Sequence, residues 1–232
     1  MKKRISVFAL LFMGHFCMAQ SNHLWTGVEG NIKLAKHLET KIGYEYRRDN
    51  IIGFNKSLAT VQLSYELVPG IKTLIKYRNA VFPNTHSALD LKTISLSNRF
   101  ACGLNISFLE LFGAKSKRLA IQWTGQQQWE NFKFQRNRSI LRNKFQIKYD
   151  IKNFKLTPYA STELFYSWKR DVIYGIKSIS TESGMNSFRH FVGFEVELSK
   201  RQSLDVGFGI REQYLNKTKS NILRLTYKVN LN

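Results

Sequence analysis

The sequence contains few residues of the kinds that stabilise small exported domains. It has two cysteines, three prolines and sixteen acidic residues against thirty-six basic residues. Cys17 lies in the N-terminal apolar stretch, so Cys102 would be the single cysteine of a processed chain and could not form an intramolecular disulfide. Stability must therefore come from hydrogen-bonded structure rather than from covalent cross-links.

Long apolar runs are also scarce, apart from one at the N-terminus. Lys2, Lys3 and Arg4 precede an apolar run over residues 5–16, and small residues follow it up to Ala19. This order is typical of a cleaved signal peptide, and the run is shorter than the about 20 residues that span a bilayer. We therefore expect residues 1–19 to be a cleaved signal peptide and residues 20–232 to form one exported domain. A lipoprotein cleaved at Cys17 is the alternative, against which the bulky Phe16 argues.

The formal net charge of +20 falls to +17 when the three signal-peptide charges are removed (20 − 3). Such an excess usually indicates a nucleic acid or an anionic surface as partner. Export argues against nucleic acid, and the basic residues are spread along the chain rather than clustered in one tail. We expect no nucleic-acid partner.

The stretch Arg138–Trp168 shows the pattern that recurs along the chain. Apolar side chains alternate with charged and polar ones on both sides of a short turn at Asp150–Lys155. Successive side chains of a β-strand point to opposite faces, so each face of such a strand meets its own environment. Nearly every other strand carries charges on one face, which indicates lipid outside and a polar interior.

Eleven segments show this alternation, and Asn105–Lys117 is an ambiguous twelfth. A sheet in lipid must close, because an open edge would leave backbone groups unpaired in hydrocarbon. We predict an all-β fold, an antiparallel transmembrane β-barrel of ten to twelve strands in the cell outer membrane. Single-chain bacterial barrels are usually even-numbered, which gives twelve strands if Asn105–Phe112 pairs and ten if one weak segment does not, and the sequence leaves ten, eleven or twelve open. Val81–Asp90 and Lys169–Ser187 are predicted to be loops.

The inward face is predicted to carry a network of both charge signs. The turn near Asn153 should bring Glu163 opposite Arg142. Buried charges need partners, so the network is either a self-neutralising plug or a cationic lumen that attracts anions. The predicted lumen charges are Glu29, Glu45, Arg47, Arg78, Arg99, Arg142, Lys144, Glu163, Arg189, Glu195, Arg211 and Arg224.

A resemblance to a known family rests on short motifs spread over the whole mature chain. They are Gln20, Trp25-Thr26-Gly27-Val28-Glu29, Gly43-Tyr44-Glu45-Tyr46-Arg47, Pro69-Gly70 with Lys72, Tyr77-Arg78, Asn98-Arg99, Arg138, Leu141-Arg142, Lys144, Pro158-Tyr159, Glu163, Phe165, Arg189 and Gly193. In this order they resemble an uncharacterised family of Gram-negative outer-membrane β-barrels, known only as a domain of unknown function. The resemblance implies the barrel fold and its location, and it implies no catalytic residue. Leu231-Asn232 departs from it, because assembly signals of such barrels usually end in an aromatic residue.

Motifs for catalysis and cofactors are weak. His86 lies in a predicted loop and His190 shares the outward parity of Val192, but neither belongs to a recognisable nucleophile motif. No cofactor, metal ligand or catalytic residue is predicted. The leading function is a monomeric, non-enzymatic outer-membrane barrel, structural or a narrow porin-like pore. Its partners would be outer-membrane lipid and small anions. The alternatives are a lipid-modifying enzyme and a surface receptor or adhesin.

Overall fold

The fold is all-β, with one short helix among the described residues. The computed structural model describes residues 21–49, 55–85, 92–111, 118–132, 135–169, 171–174, 178–181, 184–214 and 217–231. The predicted signal peptide, residues 1–19, lies outside them. The strands are β1 (Ser21–Ala35), β2 (Leu38–Asp49), β3 (Asn55–Val68), β4 (Ile71–Thr85), β5 (Lys92–Ser107), β6 (Leu119–Phe132), β7 (Gln135–Tyr149), β8 (Leu156–Lys169), β9 (Asp171–Tyr174), β10 (Ser178–Thr181), β11 (Gly184–Ser199), β12 (Gln202–Gln213) and β13 (Thr218–Asn230), and the helix α1 is Phe108–Leu111.

Eleven strands form one closed barrel, which confirms the predicted fold. Each strand pairs antiparallel with its neighbours along the chain, β8 pairs with β11, and β9 and β10 form a separate hairpin. β1 and β13 close the barrel as a parallel pair, in which Val28 is the cross-strand partner of Tyr227. Eleven lies within the predicted range of ten to twelve strands and departs from the even number that is usual for bacterial single-chain barrels. A parallel ladder also pairs backbone donors with acceptors, so closure requires complementary edges and not an even count.

Alternation along each strand separates two faces of the wall. Ile75, Val28 and Phe145 are about half exposed on the outer face, and Ile75 is 52% exposed. On the inner face Leu58 and Ile222 are fully buried. Because side chains alternate with period two, apolar rows face outward while most charged rows face the lumen. This sorting places charged side chains of all eleven barrel strands in one interior.

The two ends of the barrel differ in their connections. The end formed by the β1–β2, β3–β4, β7–β8 and β11–β12 connections, here called the short-turn end, has tight turns. Gly70 follows Pro69 with a φ of 86°, a left-handed conformation that glycine adopts without steric cost. Asn153 has a φ of 61° in the β7–β8 turn, and asparagine tolerates that region better than most residues. The opposite end, here called the loop end, carries the β2–β3, β4–β5 and β8–β11 connections.

Three segments differ from the sequence prediction. β4 continues to Thr85, so residues 81–85 of the predicted loop Val81–Asp90 are strand, and residues 86–90 lie outside the described residues. Lys169–Ser187 contains the β9–β10 hairpin and the start of β11. The ambiguous Asn105–Lys117 ends β5 and then forms α1, and residues 112–117 lie outside the described residues. Backbone pairing does not depend on side-chain polarity, so a strand can continue past the point where its alternating pattern ends.

Closure through β1 and β13 predicts a specific cross-link. Cysteines replacing Val28 and Tyr227, in a Cys102→Ser background, should form a disulfide on mild oxidation because directly paired positions meet the Cα separation of about 4.4–6.8 Å that a disulfide needs. The measurement is the mobility of the denatured protein on a non-reducing gel. The control pair, Val28→Cys with Phe145→Cys on β7, should not cross-link. Absence of the β1–β13 cross-link would contradict the eleven-strand closure.

Candidate functional site: the charged lumen

Charged side chains from eight strands surround a cavity of about 190 Å³ in the barrel interior. Eight of them are cationic and three are carboxylates, so cations dominate. Aromatic rings of Trp25, Phe165 and Phe191 complete the lining. The charged residues are Glu29, Glu45, Arg47, Lys76, Arg78, Arg99, Arg142, Lys144, Glu163, Arg189 and Arg224.

Ten of the twelve sequence-predicted lumen residues line this cavity, and two lie elsewhere. Glu195 lies nearer the short-turn end, where it accepts from Ser203 at 2.7 Å and pairs with Lys228 at 3.0 Å. Arg211 is the cross-strand partner of Arg189 and, in the favoured amide orientation of Gln213, donates to that side chain. The predicted set therefore divides between a central cluster and its two flanks.

Glu163 is the most buried carboxylate of the central cluster, with 5% of its side chain exposed. It receives Arg142 Nη2 at 2.6 Å and lies 3.6 Å from Arg189 Nη1. The direct cross-strand partner of Glu163 is Lys144, so Arg142 reaches it diagonally from two residues away. Glu163 and Arg142 lie on the same face, as predicted. They are offset by two residues along the strands and are not directly opposite each other. One carboxylate thus pairs with two guanidinium groups, from β7 and β11, and leaves one positive charge in excess.

Asp205 anchors a second cluster, on the β12 side of the lumen. The Tyr159 hydroxyl donates to Asp205 at 2.7 Å, and Arg224 Nη2 and Lys228 Nζ lie 3.2 Å and 3.0 Å from its carboxylate. Arg224 also donates to the Tyr159 hydroxyl oxygen at 2.7 Å. Tyr159 and Arg224 thus bond each other as well as Asp205, and Lys228 also donates to Glu195 at 3.0 Å, so each partner has more than one bond in a connected polar network.

The remaining carboxylates of the central lumen are also paired. Lys41 lies 2.7 Å from Glu29, Arg47 pairs with Glu45, and Arg99 Nη2 donates to Glu130 at 2.8 Å. Paired charges with hydrogen bonds reduce the cost of removing each ion from water. The interior therefore resembles a mesh of ion pairs with an excess of cations.

Arginine side chains of the lumen lie over aromatic rings. The guanidinium carbon of Arg47 lies 3.8 Å from the centroid of Trp25, and that of Arg189 lies 4.1 Å from the centroid of Phe165. Arg224 lies 4.8 Å from the centroid of Phe191. Such stacking attracts the cation to the ring face and fixes the plane of the guanidinium. The rings thus hold the arginines in defined orientations.

Two glycines make room for Tyr159. A Cβ at Gly193 would lie 2.6 Å from the Tyr159 hydroxyl oxygen and 2.3 Å from the carbonyl oxygen of Val206. A Cβ at Gly207 would lie 2.5 Å from the same hydroxyl. Glycine in a strand often marks such a close approach, and here it lets Tyr159 reach Asp205.

Three cations of the cavity have no carboxylate within 4.0 Å among the described residues: Lys76, Arg78 and Lys144. Arg78 donates from Nε to the Thr60 hydroxyl at 3.1 Å. Lys76 and Lys144 line both this cavity and an adjoining one of about 370 Å³. The central lumen therefore has uncompensated positive charge between β4 and β7.

A third cavity of about 480 Å³ opens at the short-turn end. Its lining is mostly amide and hydroxyl groups with a few charges, among them Lys72, which lies 3.1 Å from Glu39. It shares Lys41, Gln62 and Asn105 with the 370 Å³ cavity. The lumen is thus continuous from this end to the central cations.

Several residues of the site were missing from the sequence prediction. Glu130 and Asp205 occupy inward-facing positions in the alternation of their strands. That alternation alone predicts that both side chains face the lumen. Trp25, Phe165 and Phe191 also have inward parity, but an apolar ring among charges carries no signal of its own. Their position beneath arginines from neighbouring strands becomes evident only with the register.

His190 lies exposed on the outer wall, as its parity predicts. Its Nδ1 lies 3.0 Å from the Thr162 hydroxyl, and its ring stacks on Phe188 at 6.0 Å. These wall contacts give the enzyme alternative no support, and His86 lies outside the described residues. Within the described ranges, no group of three or more His, Cys, Asp or Glu side chains could hold a metal ion, and no helix is long and apolar enough to cross a membrane.

The fold and the lumen define a class: a closed β-barrel with an ion-paired, cationic interior. A family model described as a protein of unknown function (DUF2490) matches residues 22–224, and the chain belongs to that family. No curated protein matches the chain significantly. The family assignment supplies no activity, so the function must be argued from the barrel itself.

Replacing Glu163 tests the central ion-pair cluster. Glu163→Gln leaves Arg142 and Arg189 without their shared carboxylate, and breaking such a buried pair costs about 3–5 kcal/mol. We expect a lower free energy of unfolding in denaturant titrations of the folded protein. The control, Glu66→Gln, removes a carboxylate at the short-turn end whose partner His37 lies 3.4 Å away and is well exposed, so its effect should stay within about 1 kcal/mol. Equal effects of the two substitutions would show that the cluster does not stabilise the barrel.

Proposed function

We propose that this protein is a non-enzymatic outer-membrane β-barrel with a narrow lumen that favours small anions. The strongest support is the contrast between the two faces of the barrel wall. The outer face is apolar, and the inner face carries ion pairs. A water-soluble barrel has no reason to expose whole rows of large apolar side chains. The predicted location and partners follow from this proposal.

A row of aromatic side chains on the outer wall supports an interface with lipid headgroups. Tyr77, Phe100 and Trp129 are cross-strand neighbours on β4, β5 and β6, and the rings of Phe100 and Trp129 stack at 5.9 Å. Aromatic girdles of this kind mark the two edges of the apolar band in membrane barrels.

A row of asparagines follows directly on the loop-end side. Asn79, Asn98 and Asn131 are cross-strand partners, and Asn79 donates to Asn98 at 2.8 Å. The stretch from Asn98 to the end of β5 at Ser107 matches the about 9–11 residues that a tilted strand needs to cross a bilayer. The band between the asparagine row and the short-turn end therefore fits the membrane, and the strands extend beyond it at the loop end.

The lumen supports a structural role with restricted passage. Small barrels fill their interiors with side chains, and the ion pairs around Glu163 and Asp205 connect strands that are distant in the sequence. Cross-links of this kind keep a narrow wall rigid. The excess of cations over carboxylates would raise the concentration of anions and lower that of cations in the remaining space.

A charge placed on the outer wall distinguishes lipid from water as the surroundings. Ile75→Arg should cost about 2–4 kcal/mol and impair folding into bilayers, because arginine near the midplane of a lipid-facing wall is destabilising. The control, Asn79→Arg, lies beyond the aromatic row on the same strand and face and should fold normally. Folding yield into liposomes, read by protease protection, is the measurement. Normal folding of both variants would place the wall in water.

Conductance in planar bilayers tests the lumen. The purified protein should give small ohmic steps, and a salt gradient should shift the reversal potential toward that of the anion, because cations dominate the central cavity. Cation-selective current would contradict the proposed selectivity. A silent barrel would remove the pore and leave the structural role alone.

A further inference from the structure

We propose that the lumen holds a binding site for a compact polyvalent oxyanion of the phosphate class, formed by Lys76, Arg78 and Lys144. This inference deepens the proposed anion preference by naming the chemistry of the ligand. The three side chains extend from β4 and β7 and line the central cavity together.

The carboxylates nearest these three cations form their ion pairs with other side chains, although Glu163 is the direct cross-strand partner of Lys144. Within the described residues no carboxylate lies within ion-pair distance of them, and the carboxylates lining the cavity already have cationic partners. Glu29 is paired with Lys41, and Glu163 with Arg142 and Arg189. Uncompensated charges away from bulk water are costly, so their retention at one place indicates a ligand of opposite sign.

Like charges also face each other across the ladder. Arg78 is the direct cross-strand partner of Arg99, and directly opposed like charges destabilise a sheet. Arg99 is held by Glu130 and by Gln128 at 3.3 Å, whereas the hydrogen-bond partner of Arg78 among the described residues is the Thr60 hydroxyl. Arg142 adds repulsion to both Lys76 and Lys144. A bound anion would relieve these repulsions together.

The number and type of the groups favour a phosphate-like oxyanion over a halide or a monocarboxylate. Three positive charges require a ligand with more than one negative charge, and a phosphoryl group carries about −1.5 to −2 at pH 7 with three strong acceptor oxygens. Lysine binds such groups as a point charge, and a guanidinium supplies directed donors. The central cavity of about 190 Å³ and its 370 Å³ neighbour admit a ligand of this size.

Access is from the short-turn end. The 480 Å³ cavity there meets the 370 Å³ cavity, which Lys76, Arg78 and Lys144 all line. An anion entering at this end passes Lys72 and Lys41, both paired with carboxylates, before it reaches the uncompensated cations. The route thus increases in positive charge toward the proposed site.

Calorimetric titration of the folded, detergent-purified full chain with inorganic phosphate tests the proposal. We expect saturable binding, and Lys76→Gln with Lys144→Gln should weaken it by about tenfold or more, since each charge-assisted hydrogen bond contributes about 1.5–3 kcal/mol. The control variant, Lys41→Gln with Lys72→Gln, removes the same charge from the entrance and should change affinity by less than about threefold. The Lys76 and Lys144 variant should fold at least as well as the parent, because it removes repulsion, and its unfolding temperature checks this.

Two further measurements identify the kind of phosphoryl compound that binds and distinguish the proposed anion site from the proposed membrane barrel. Glycerol phosphate in place of inorganic phosphate shows whether an esterified phosphoryl group binds at the same residues, and chloride at matched ionic strength should not compete. Absence of saturable phosphate binding, or equal loss in both double variants, would overturn the site. The titration requires no bilayer, so its failure leaves the membrane and conductance results standing, and failed insertion leaves the titration interpretable.

Discussion

The constraint on which this structure depends is the pairing of backbone donors and acceptors at the edges of the sheet, which the proposed hydrocarbon surroundings would make obligatory. The closed order of eleven strands meets that constraint, and the parallel β1–β13 pair completes it. Once the sheet closes, period-two alternation leaves each strand only two environments, an outside and an inside. The apolar outer rows and the charged inner rows are then consequences of one geometry.

The ion pairing of the interior follows from the small diameter of an eleven-strand barrel. Eleven strands bring long basic and acidic side chains from opposite walls within contact, so most charges can form pairs. Glu163 and Asp205 show how far the pairing reaches, since Asp205 connects β12 to Tyr159 on β8 and Arg224 on β13. Among the described residues, the central-cavity cations without an ion pair, Lys76, Arg78 and Lys144, lie on β4 and β7, and that grouping distinguishes this lumen from a uniformly neutral filling.

The alternation of apolar and polar residues along each segment predicts most of the strands and their two faces. The strands and their two faces follow from residues one and two positions apart, and the inward position of Trp25, Arg142 and Glu163 follows from parity alone. The strand number could not be predicted, because it depends on which edges meet at β1 and β13, two hundred residues apart. The register between strands could not be predicted from local pattern either. Lys144, and not the predicted Arg142, is directly opposite Glu163. Where the alternation fades, as at residues 81–85, composition predicts a loop although the ladder continues to Thr85.

The central claim is that the outer wall meets acyl chains while the charged rows are enclosed, and fluorescence quenching by brominated lipid tests it most directly. Trp129 is 41% exposed on the outer wall, and Trp25 is 5% exposed in the lumen. In liposomes with brominated acyl chains, a variant keeping only Trp129 should be strongly quenched and a variant keeping only Trp25 should not. Equal fluorescence of the Trp129 variant with and without bromine would contradict the account.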